Sequence, residues 1–214
     1  MLVCPSMLSA DPTNLGQALF AVERAGADAV HWDVMDGVFV DAITFGSSVI
    51  AAHRGLSRLR FDVHLMTIDP DKHLKSFADA GADVLVVHIE ACLHLHRTMT
   101  VIKSLGKKVG VAFNPATHWN AIEYCAEVLD MVVVMTVNPG SSGQDFLWNQ
   151  LEKISALRRI LPSSVEICVD GGISDQTIAD CAQCGADSCV SGSYIFQNND
   201  RTDDAIRRLK ENCT

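Results

Sequence analysis

The sequence predicts an α/β fold, a single (β/α)₈ barrel that spans residues 1–214. Near-continuously apolar runs alternate eight times with helical patterns, which is typical of a parallel sheet covered by helices. A Gly-Ala-Asp motif also recurs at 25–34, 80–89 and 184–192, where Gly ends a helix and Ala-Asp leads into an apolar strand. Eight such units indicate a closed barrel. The alternative, an open doubly wound sheet, needs a G-x-G-x-x-G turn after the first strand, which PSMLSAD (5–11) does not provide.

The predicted elements follow one another in regular order along the chain. Strands are predicted at 2–6, 29–35, 61–66, 84–89, 108–113, 131–136, 166–170 and 188–192. Helical patterns lie at 14–26, 45–55, 71–81, 96–106, 120–129, 147–160, 175–185 and 203–212. In such a barrel the reactive side chains gather where strands end and the following loops begin.

Composition excludes several classes of protein. With 48% hydrophobic and 20% charged residues, the chain has the composition of a globular protein. Its net charge of −9, with no basic run, argues against binding to nucleic acid. No apolar run of about 18 residues could cross a membrane, and the first residues, MLVCPSMLSADP, lack a secretory leader. We therefore expect a cytoplasmic protein.

The eight cysteines are scattered along the chain. In a cytoplasmic protein of this size we expect them to be reduced and to pack as small hydrophobic residues. Cys181 and Cys184 form a C-x-x-C pair, for which a redox or zinc function is the alternative. A second pair at zinc-finger spacing is missing, so the sequence favours the structural interpretation.

HWDVMDG (31–37) puts two polar side chains on one face of a strand that is otherwise apolar. Since strand side chains alternate, His31 and Asp33 point to the same side. A buried carboxylate needs a partner, and a divalent cation would neutralise Asp33 and accept the lone pair of His31. Other strand ends add Ser6, Ser9, Asp62, His64, His88, Glu90 and Asp170. Two imidazoles and two carboxylates from three strand ends predict a His₂Asp₂ site for zinc, iron, manganese or cobalt.

Three of these side chains have a second interpretation. A strand histidine is more often hydrogen-bonded core than a ligand, and this is favoured for His88. Glu90 is either a neighbour of that histidine or a group that hydrogen-bonds a metal ligand. Asp62 can point to either face of its strand.

Small residues at three neighbouring strand ends predict an anion site. NPGSSGQ (138–144), DGGIS (170–174) and SGS (191–193) let backbone N–H groups approach a phosphate, although each alone could be a tight turn. Met35, Met66 and Met135 lie at strand ends as well. They are either core filler or an apolar wall beside the site.

These motifs together resemble the ribulose-phosphate 3-epimerase family. The matching stretches include PSMLSAD, HWDVMDGVFV, ITFG, DVHLM, HIE, VAFNPAT, VMTVNPG with GQDF, VDGGI and SGSYIF, in family order from residue 5 to 196. The pair HxDVMDGxF and VDGG is far more specific than a single Gly-rich loop.

The resemblance implies a TIM barrel of the ribulose-phosphate-binding type. It implies epimerisation at C3 of a ketose phosphate, D-ribulose 5-phosphate to D-xylulose 5-phosphate, through an ene-diolate and with one divalent metal, zinc being preferred. Metal ligands would be His31, Asp33, His64 and Asp170, and Asp33 and Asp170 would exchange protons with the substrate. Substrate contacts would come from Ser9, His64, Gly140, Ser141, Ser142, Gly143, Gly171, Gly172, Ile173, Gly192 and Ser193. A homo-oligomer is implied as well.

The chain departs from the family pattern at four places. Asp41-Ala42 stands where Pro-Asn is usual, PGSSGQ (139–144) where PGFGGQ is usual, His118 where Pro follows NPxT, and Tyr194 where a small residue is usual. None of these removes a metal ligand or a proton carrier. The first two alter loops near the site, so a hexulose phosphate such as D-allulose 6-phosphate stays an alternative substrate.

Two other classes of function compete with the epimerase. A lyase or decarboxylase on a similar barrel would be expected to carry D-x-K-x-x-D, and the sequence has no such segment. A non-catalytic phosphosugar-binding barrel would gain nothing from keeping both Asp33 and Asp170. The sequence therefore favours the epimerase.

Overall fold

Eight parallel strands form the centre of the molecule, and helices cover their outer side. The computed structural model describes residues 1–197 and 201–213. The strands are β1 (Leu2–Pro5), β2 (Ala29–Met35), β3 (Arg60–Met66), β4 (Val84–His88), β5 (Lys108–Phe113), β6 (Met131–Met135), β7 (Glu166–Asp170) and β8 (Ser188–Ser191). Every predicted strand is present, and no boundary differs by more than one residue.

The helices follow the strands in the predicted order. The α-helices are α1 (Leu15–Arg24), α2 (Ser47–Arg54), α3 (Leu74–Asp79), α4 (Leu95–Ser104), α5 (Gln150–Ile160), α6 (Ile178–Gln183), α7 (Ser193–Phe196) and α8 (Thr202–Asn212). Short 3-10 helices lie at Met7–Ser9, Pro70–Lys72 and Ile89–Ala91. Within the described ranges, no helix combines the length and the apolar character needed to cross a bilayer.

The pattern at 120–129 forms a 3-10 helix, Trp119–Val128, rather than the α-helix implied by the helical prediction. Its apolar residues recur at every third position, namely Trp119, Ile122, Cys125 and Val128, and all four pack in or against the core. A 3-10 helix has three residues per turn, so this spacing lines them up on one side. This interval of three is consistent with the helix type, although Ala126 also packs against the core.

The seam between β1 and β2 nearly closes the barrel. The sheet order is β1-β8-β7-β6-β5-β4-β3-β2, and β1 meets β2 through an isolated parallel bridge between Ser6 and His31. Near the start of β2, Asp28 donates its N–H to the carbonyl of Val3 (3.0 Å) and accepts the Val3 N–H on its carboxylate (2.9 Å). The end of β1 therefore lies beside the polar face of β2.

The repeated Gly-Ala-Asp motif has the same structural role at each of its three positions. Its glycines are Gly26, Gly81 and Gly185, with φ of 84°, 102° and 99°, as predicted for residues that end a helix. Each following aspartate accepts a hydrogen bond from a backbone N–H of the preceding strand. These bonds run from Val3 to Asp28, from Phe61 to Asp83 and from Ile167 to Asp187, at 2.8–2.9 Å. The motif thus joins consecutive strands at the end of the barrel opposite the mouth.

The barrel interior changes from ionic at its floor to apolar at its centre. At the floor, Arg60 donates to Asp62 and to Glu166, each at 2.8 Å. Asp62 is therefore inside the barrel, paired with a cation and 1% exposed. The apolar centre includes Cys4, Val86, Val133 and Cys168. Strand alternation then directs His64, two residues after Asp62, to the interior nearer the mouth.

Candidate active site

Strands β2 and β3 put three polar side chains inside the barrel near its mouth. Asp33 on β2 lies directly opposite His64 on β3 in the ladder, and His31 shares its face with Asp33. His31, Asp33 and His64 are 1%, 4% and 0% exposed. Groups of this polarity need partners when they are so deeply buried.

Asp170, at the end of β7, completes a compact cluster with these three residues. Its Oδ2 lies 3.7 Å from His31 Nε2 and 3.5 Å from His64 Nδ1. Asp33 Oδ1 lies 3.5 Å from each of the same two nitrogens, which are 3.2 Å apart. The four ligand atoms are all within 4.8 Å of one another. No other such group of three or more histidine, cysteine or acidic side chains occurs in residues 1–197 and 201–213.

The cluster has the size and the donor atoms that one divalent cation requires. Ligand distances of about 2.0–2.2 Å in a tetrahedral zinc centre put neighbouring ligand atoms about 3.3–3.6 Å apart. The five measured separations are 3.2–3.7 Å. Imidazole nitrogens and carboxylate oxygens suit zinc, iron, manganese and cobalt. These four side chains could therefore hold a metal ion.

The close contacts in this cluster shift the pKa values of His31, Asp33 and His64. Burial by itself would raise the pKa of Asp33, but His31 and His64 hold that pKa far below its usual range. Burial opposes a charge on His64, yet hydrogen bonds to Asp170 and Asp33 raise its pKa to about 9. Burial opposes a charge on His31 too, but the attraction and hydrogen bond of Asp33, together with the attraction of Asp170, raise its pKa. Without a metal, protons supply the positive charge that the carboxylates attract.

Ser6 fixes one oxygen of Asp33 and leaves the other for the cluster. Its Oγ donates to Asp33 Oδ2 at 2.6 Å, while Oδ1 faces His31 and His64. The Thr44 hydroxyl donates to the backbone carbonyl of Asp33. The sequence predicts a polar strand end at Ser6 but no role for it. The feature that could have indicated this role is the position of Ser6 at the end of β1, which lies beside β2.

Two glycines let the chain turn directly after Asp170. Gly171 and Gly172 have φ of 120° and 64°. A Cβ on Gly171 would lie 2.4 Å from the Val137 side chain, and one on Gly172 would lie 2.9 Å from the Phe146 backbone. Only glycine fits this close approach, and the loop after β7 can therefore pack against the loop after β6.

A pocket opens over the cluster, between the loops that follow β1, β6, β7 and β8. Predicted substrate contacts line it, namely Ser9, Gly140, Ser141, Ser142, Gly143, Gly171, Gly172, Ile173, Gly192 and Ser193. Asp33 and Asp170 line it as well. His64, which was also predicted to contact substrate, is fully buried and is not among the lining residues. The two carboxylates and the three glycine-rich loops therefore share one cavity.

Among the described residues that line this pocket there is no lysine or arginine, so backbone N–H groups and hydroxyls are the donors that it offers to an anion. The loop after β6 is held by Gln144, whose Nε2 donates to the carbonyls of Asn138 (2.7 Å) and Ser141 (2.9 Å). Across the mouth, the hydroxyls of Ser9 and Ser142 are 2.6 Å apart. The sequence predicts no role for Gln144, because nothing local indicates that its amide folds back onto its own loop.

Met35, Met66 and Met135 also line the pocket, and each is at most 4% exposed. Met35 and Met66 form a small cluster with Val40, and Met135 belongs to the apolar barrel interior. The three side chains fill core space and present an apolar surface to the pocket. Their action as a wall around a reacting molecule stays a prediction.

His88 is hydrogen-bonded core, as the sequence favours, and lies outside the four-residue cluster. It is fully buried between His64 and Glu90, with ring nitrogens 2.9 Å and 3.1 Å from them. Burial lowers the pKa of His88 to about 4, although Glu90 acts in the opposite direction. Burial would raise the pKa of Glu90, but hydrogen bonds from His88 and Thr117 lower it to about 2.

The cysteines are free, as expected for reduced thiols. Cys181 is buried, and Cys184 is partly exposed. Neither belongs to a group of metal-ligating side chains among the residues that the structure describes. The structural interpretation of the C-x-x-C pair is therefore preferred.

Comparison with known proteins identifies the family. The family model described as the ribulose-phosphate 3 epimerase family matches residues 2–196. The chain belongs to the ribulose-phosphate 3-epimerase family. Epimerases are isomerases, so the protein is an enzyme of the isomerase class. The match extends from the first strand through α7 and includes every member of the cluster.

Three relatives in the epimerase family illustrate the extent of the similarity. The chain is 45% identical over 203 residues to ribulose-phosphate 3-epimerase of Bacillus subtilis, which covers 93% of this chain and 94% of the relative. It is 44% identical over 215 residues to the chloroplastic ribulose-5-phosphate-3-epimerase of Arabidopsis thaliana, covering 98% and 76%. It is 43% identical over 213 residues to the Aquifex aeolicus ribulose-phosphate 3-epimerase, covering 98% and 95%.

Solved structures of lower sequence identity share the fold of this epimerase-family chain. The 3-hexulose-6-phosphate synthase of Salmonella typhimurium superposes with a TM-score of 0.72 at 20% identity, covering 100% of this chain and 98% of that one. KGPDC from Streptococcus mutans superposes with a TM-score of 0.74 at 15% identity, covering 99% and 96%. At such identities the likeness supports the barrel fold alone.

Proposed function

We propose that the protein epimerises a ketose phosphate at C3, with D-ribulose 5-phosphate and D-xylulose 5-phosphate as the substrate pair. The observation that carries this proposal is that Asp33 and Asp170 reach one pocket from different strands, beside two imidazoles, in a chain of the epimerase family. Inversion at C3 removes a proton from one face of the sugar and returns a proton to the other. Two carboxylates that reach the pocket from separate strands, β2 and β7, would act on the two faces.

We propose further that His31, Asp33, His64 and Asp170 bind one divalent cation, with zinc first and iron, manganese or cobalt as alternatives. Such a cation supplies Lewis acidity, which polarises the C2 carbonyl and stabilises the charge that develops when the C3 proton leaves. The donor set and the separations of 3.2–3.7 Å support this role. The site is compact, and His31, Asp33 and His64 are almost completely buried.

The two carboxylates would divide the proton transfers between them. General acid–base catalysis of this kind needs one ionised and one protonated group, in environments that separate their pKa values. The hydroxyl of Ser6, which donates to Asp33 Oδ2, would stabilise the ionised form of Asp33 that takes up the proton. Asp170 would return the proton from the other side of the planar ene-diolate. The reverse reaction exchanges these roles.

The phosphate group would bind in the part of the pocket that glycine and serine residues line. Exposed backbone N–H groups near Gly171, Gly172 and Gly192 can donate to an anion, and the hydroxyls of Ser9 and Ser142 add to them. A phosphate held there would orient the sugar between the carboxylates. This arrangement supports anion binding by a chain whose net charge is −9.

Hydrogen exchange at C3 is the direct test of this function. The purified enzyme, loaded in turn with zinc, iron, manganese or cobalt, is incubated in heavy water with D-ribulose 5-phosphate, and mass spectrometry and NMR follow deuterium and configuration at C3. We expect exchange and inversion together, and their loss after chelation. Absence of exchange with every metal and with each of D-ribulose, D-xylulose and D-allulose phosphates contradicts the proposal. It would favour a non-catalytic phosphosugar-binding barrel.

A related hexulose phosphate, D-allulose 6-phosphate, is the second candidate substrate. The observation that favours it is the hydroxyl pair of Ser9 and Ser142, 2.6 Å apart at the mouth, in a loop that departs from the usual family sequence. The ratio of kcat/KM for the pentulose and hexulose phosphates, measured for the natural chain and for Ser142→Gly, decides between the candidates. If Ser142 selects the hexulose phosphate, the variant shifts that ratio toward D-ribulose 5-phosphate. An unchanged ratio removes Ser142 as a determinant.

A further inference from the structure

A row of hydrogen-bonded side chains leads from the edge of the barrel to one ligand of the proposed metal centre. Glu90 Oε2 lies 3.1 Å from His88 Nδ1, and His88 Nε2 lies 2.9 Å from His64 Nε2. His64 presents its other nitrogen, Nδ1, to the remaining members of the four-residue cluster. We call these three residues the Glu90–His88–His64 relay.

The contacts of Glu90, at the outer end of the relay, determine which nitrogen of each imidazole carries the proton. Glu90 Oε1 accepts hydrogen bonds from the backbone N–H of Asn114 (2.8 Å) and from the hydroxyl of Thr117. A carboxylate accepts at both oxygens, so His88 Nδ1 carries a proton and donates to Oε2. A neutral His88 then has only a lone pair on Nε2, which accepts from the Nε2–H of His64. His64 is left with a lone pair on Nδ1.

The geometry of the two rings is compatible with this arrangement of donors. His64 and His88 are both fully buried, and their ring planes differ by only 14°. An imidazole N–H and its lone pair lie in the ring plane, so nearly parallel rings allow an in-plane hydrogen bond. The ring of Phe39 lies 4.7 Å from that of His88. Both imidazoles are sealed from solvent, so His88 and Glu90 act on the Nε2 side of His64, while Asp33, Asp170 and His31 face its Nδ1.

We propose that Glu90 and His88 are positioning residues that hold His64 in the tautomer whose Nδ1 lone pair faces the metal. The inference rests on the proposed function, because it requires a cation in the four-residue cluster. A proton on Nδ1 would point into the cluster, and a metal would have to displace it before binding to that nitrogen. Groups that orient a metal-bound histidine in this way typically change metal affinity by about 10–100-fold.

Glu90→Gln tests the direction of the relay without changing its size. The Asn114 N–H can only donate, so the amide oxygen of Gln stays on that side and its NH₂ group turns to His88 Nδ1. His88 must then accept at Nδ1 and donate at Nε2, and the proton of His64 moves to Nδ1. The single exchange of an oxygen for an NH₂ group therefore reverses all three donors. Glu90 is only partly buried, so the fold should tolerate the change.

Zinc affinity is the primary measurement, made by competition with a chromophoric chelator. For Glu90→Gln we expect a dissociation constant about 10–100-fold higher than that of the natural chain. The matched control is Glu166→Gln, the same exchange at a barrel carboxylate that pairs with Arg60 on the floor, and it should leave zinc affinity unchanged. Nitrogen-15 NMR of the metal-free protein in alkaline buffer should find the His64 proton on Nε2 in the natural chain and on Nδ1 in Glu90→Gln.

Substitutions of His88 give a second, independent measurement. In His88→Gln, the amide can donate to Glu90 and accept from His64, so it retains the polarity of the relay. His88→Leu has similar bulk and neither group. We expect zinc affinity close to that of the natural chain for His88→Gln and a clear loss for His88→Leu.

The outcomes separate this inference from the proposed function. If the natural chain binds no zinc, iron, manganese or cobalt at the cluster, the metal proposal fails and the relay fails with it. If the natural chain binds zinc and Glu90→Gln binds it equally well, with the His64 proton still on Nε2, the relay alone is wrong. Equal zinc affinities for His88→Gln and His88→Leu would also overturn the relay.

Discussion

Three aspartates inside one barrel show how contacts decide what a residue can do. Asp33 lies between two imidazoles and accepts from Ser6, whereas Asp170 reaches the same nitrogens from β7. Asp62 is equally buried but pairs with Arg60 at the floor. The first two face the pocket and the third does not. Residue type and burial are therefore insufficient, and the charge of the neighbouring group separates structural from candidate catalytic carboxylates.

Asp33→Asn and Asp170→Asn should each lower kcat by at least about 100-fold, the usual scale for loss of a general acid or base. An amide keeps the shape of the side chain but cannot take up a proton at neutral pH. Steady-state epimerisation is the measurement, with circular dichroism to verify the fold. Asp62→Asn is the matched control, and it should keep its turnover per folded molecule. Near-normal turnover in either Asp33→Asn or Asp170→Asn would contradict the two-carboxylate mechanism.

At the scale of elements, the aspartate that precedes a strand links that strand to the one before it. Asp187 accepts the N–H of Ile167 at 2.8 Å and pairs with Arg158 at the same distance. Asp83 makes the equivalent bonds with Phe61 and Arg54. Parallel strands separated by a helix have no hairpin to set their register. The aspartate, which follows each helix end at the same spacing, sets the register of the two strands.

Asp187→Ala should lower the free energy of unfolding by about 1–3 kcal/mol, because it leaves a backbone N–H without its charged acceptor. Urea denaturation measures this, and kcat of the folded enzyme should not change. Asp79→Ala is the matched control, since Asp79 makes an exposed pair with Lys75 at 2.6 Å. Such surface pairs contribute about 1 kcal/mol or less. Equal losses in the two variants would show that the bond to Ile167 has no special weight.

On the scale of the whole molecule, the site is a convergence of segments that are far apart in the chain. The lining residues run from Ser6 to Ser193, and they come from loops after β1, β6, β7 and β8 as well as from β2 and β3. The proposed anion pocket of this acidic chain would therefore lie next to the cluster that could hold a metal ion. The homo-oligomeric state, the extent of the domain and the cytoplasmic location stay predictions.

The stability of the metal-free protein should fall as the pH rises from about 6.5 to about 9. The pKa of His64 is raised from 6.5 to about 9 in the folded chain, opposed by burial and driven by Asp170 and Asp33. A raised pKa adds stability that is complete below the unfolded value and is lost as the pH passes the folded value. Thermal melting across this range in chelator is the measurement. A melting temperature that is constant or rises would contradict the assignment.

Zinc binding should respond to pH in the opposite sense. A cation must displace the proton on His64, and that on His31 where it is protonated, so its affinity should increase by at least about tenfold per pH unit below pH 9, while at least one proton is released. Chelator competition at several pH values measures this increase. An affinity that does not depend on pH would mean that His64 carries no proton for the metal to displace.

Much of the site could be predicted from the sequence because its signals are local. In HWDVMDG, side chains two residues apart point to the same side of a strand, which predicts that His31 and Asp33 act together. The Gly-rich runs predict an anion pocket. Ser6 and Gln144 were missed, because their roles depend on contacts with Asp33 on another strand and with the carbonyls of a folded loop. Helix type at 119–128 was also wrong, although its spacing of three is visible in the sequence.

The sequence by itself determined the order of strands and helices, the glycine positions and the set of polar strand ends. Each of these depends on the spacing of apolar side chains along the chain or on the backbone freedom of a single residue. Both are properties of the local sequence. Only the tertiary structure decided which strand ends meet. It paired Asp62 with Arg60, brought Asp170 to the two imidazoles and joined Glu90 to His64 through His88. Distances across a barrel depend on closure and stagger, which no local pattern contains.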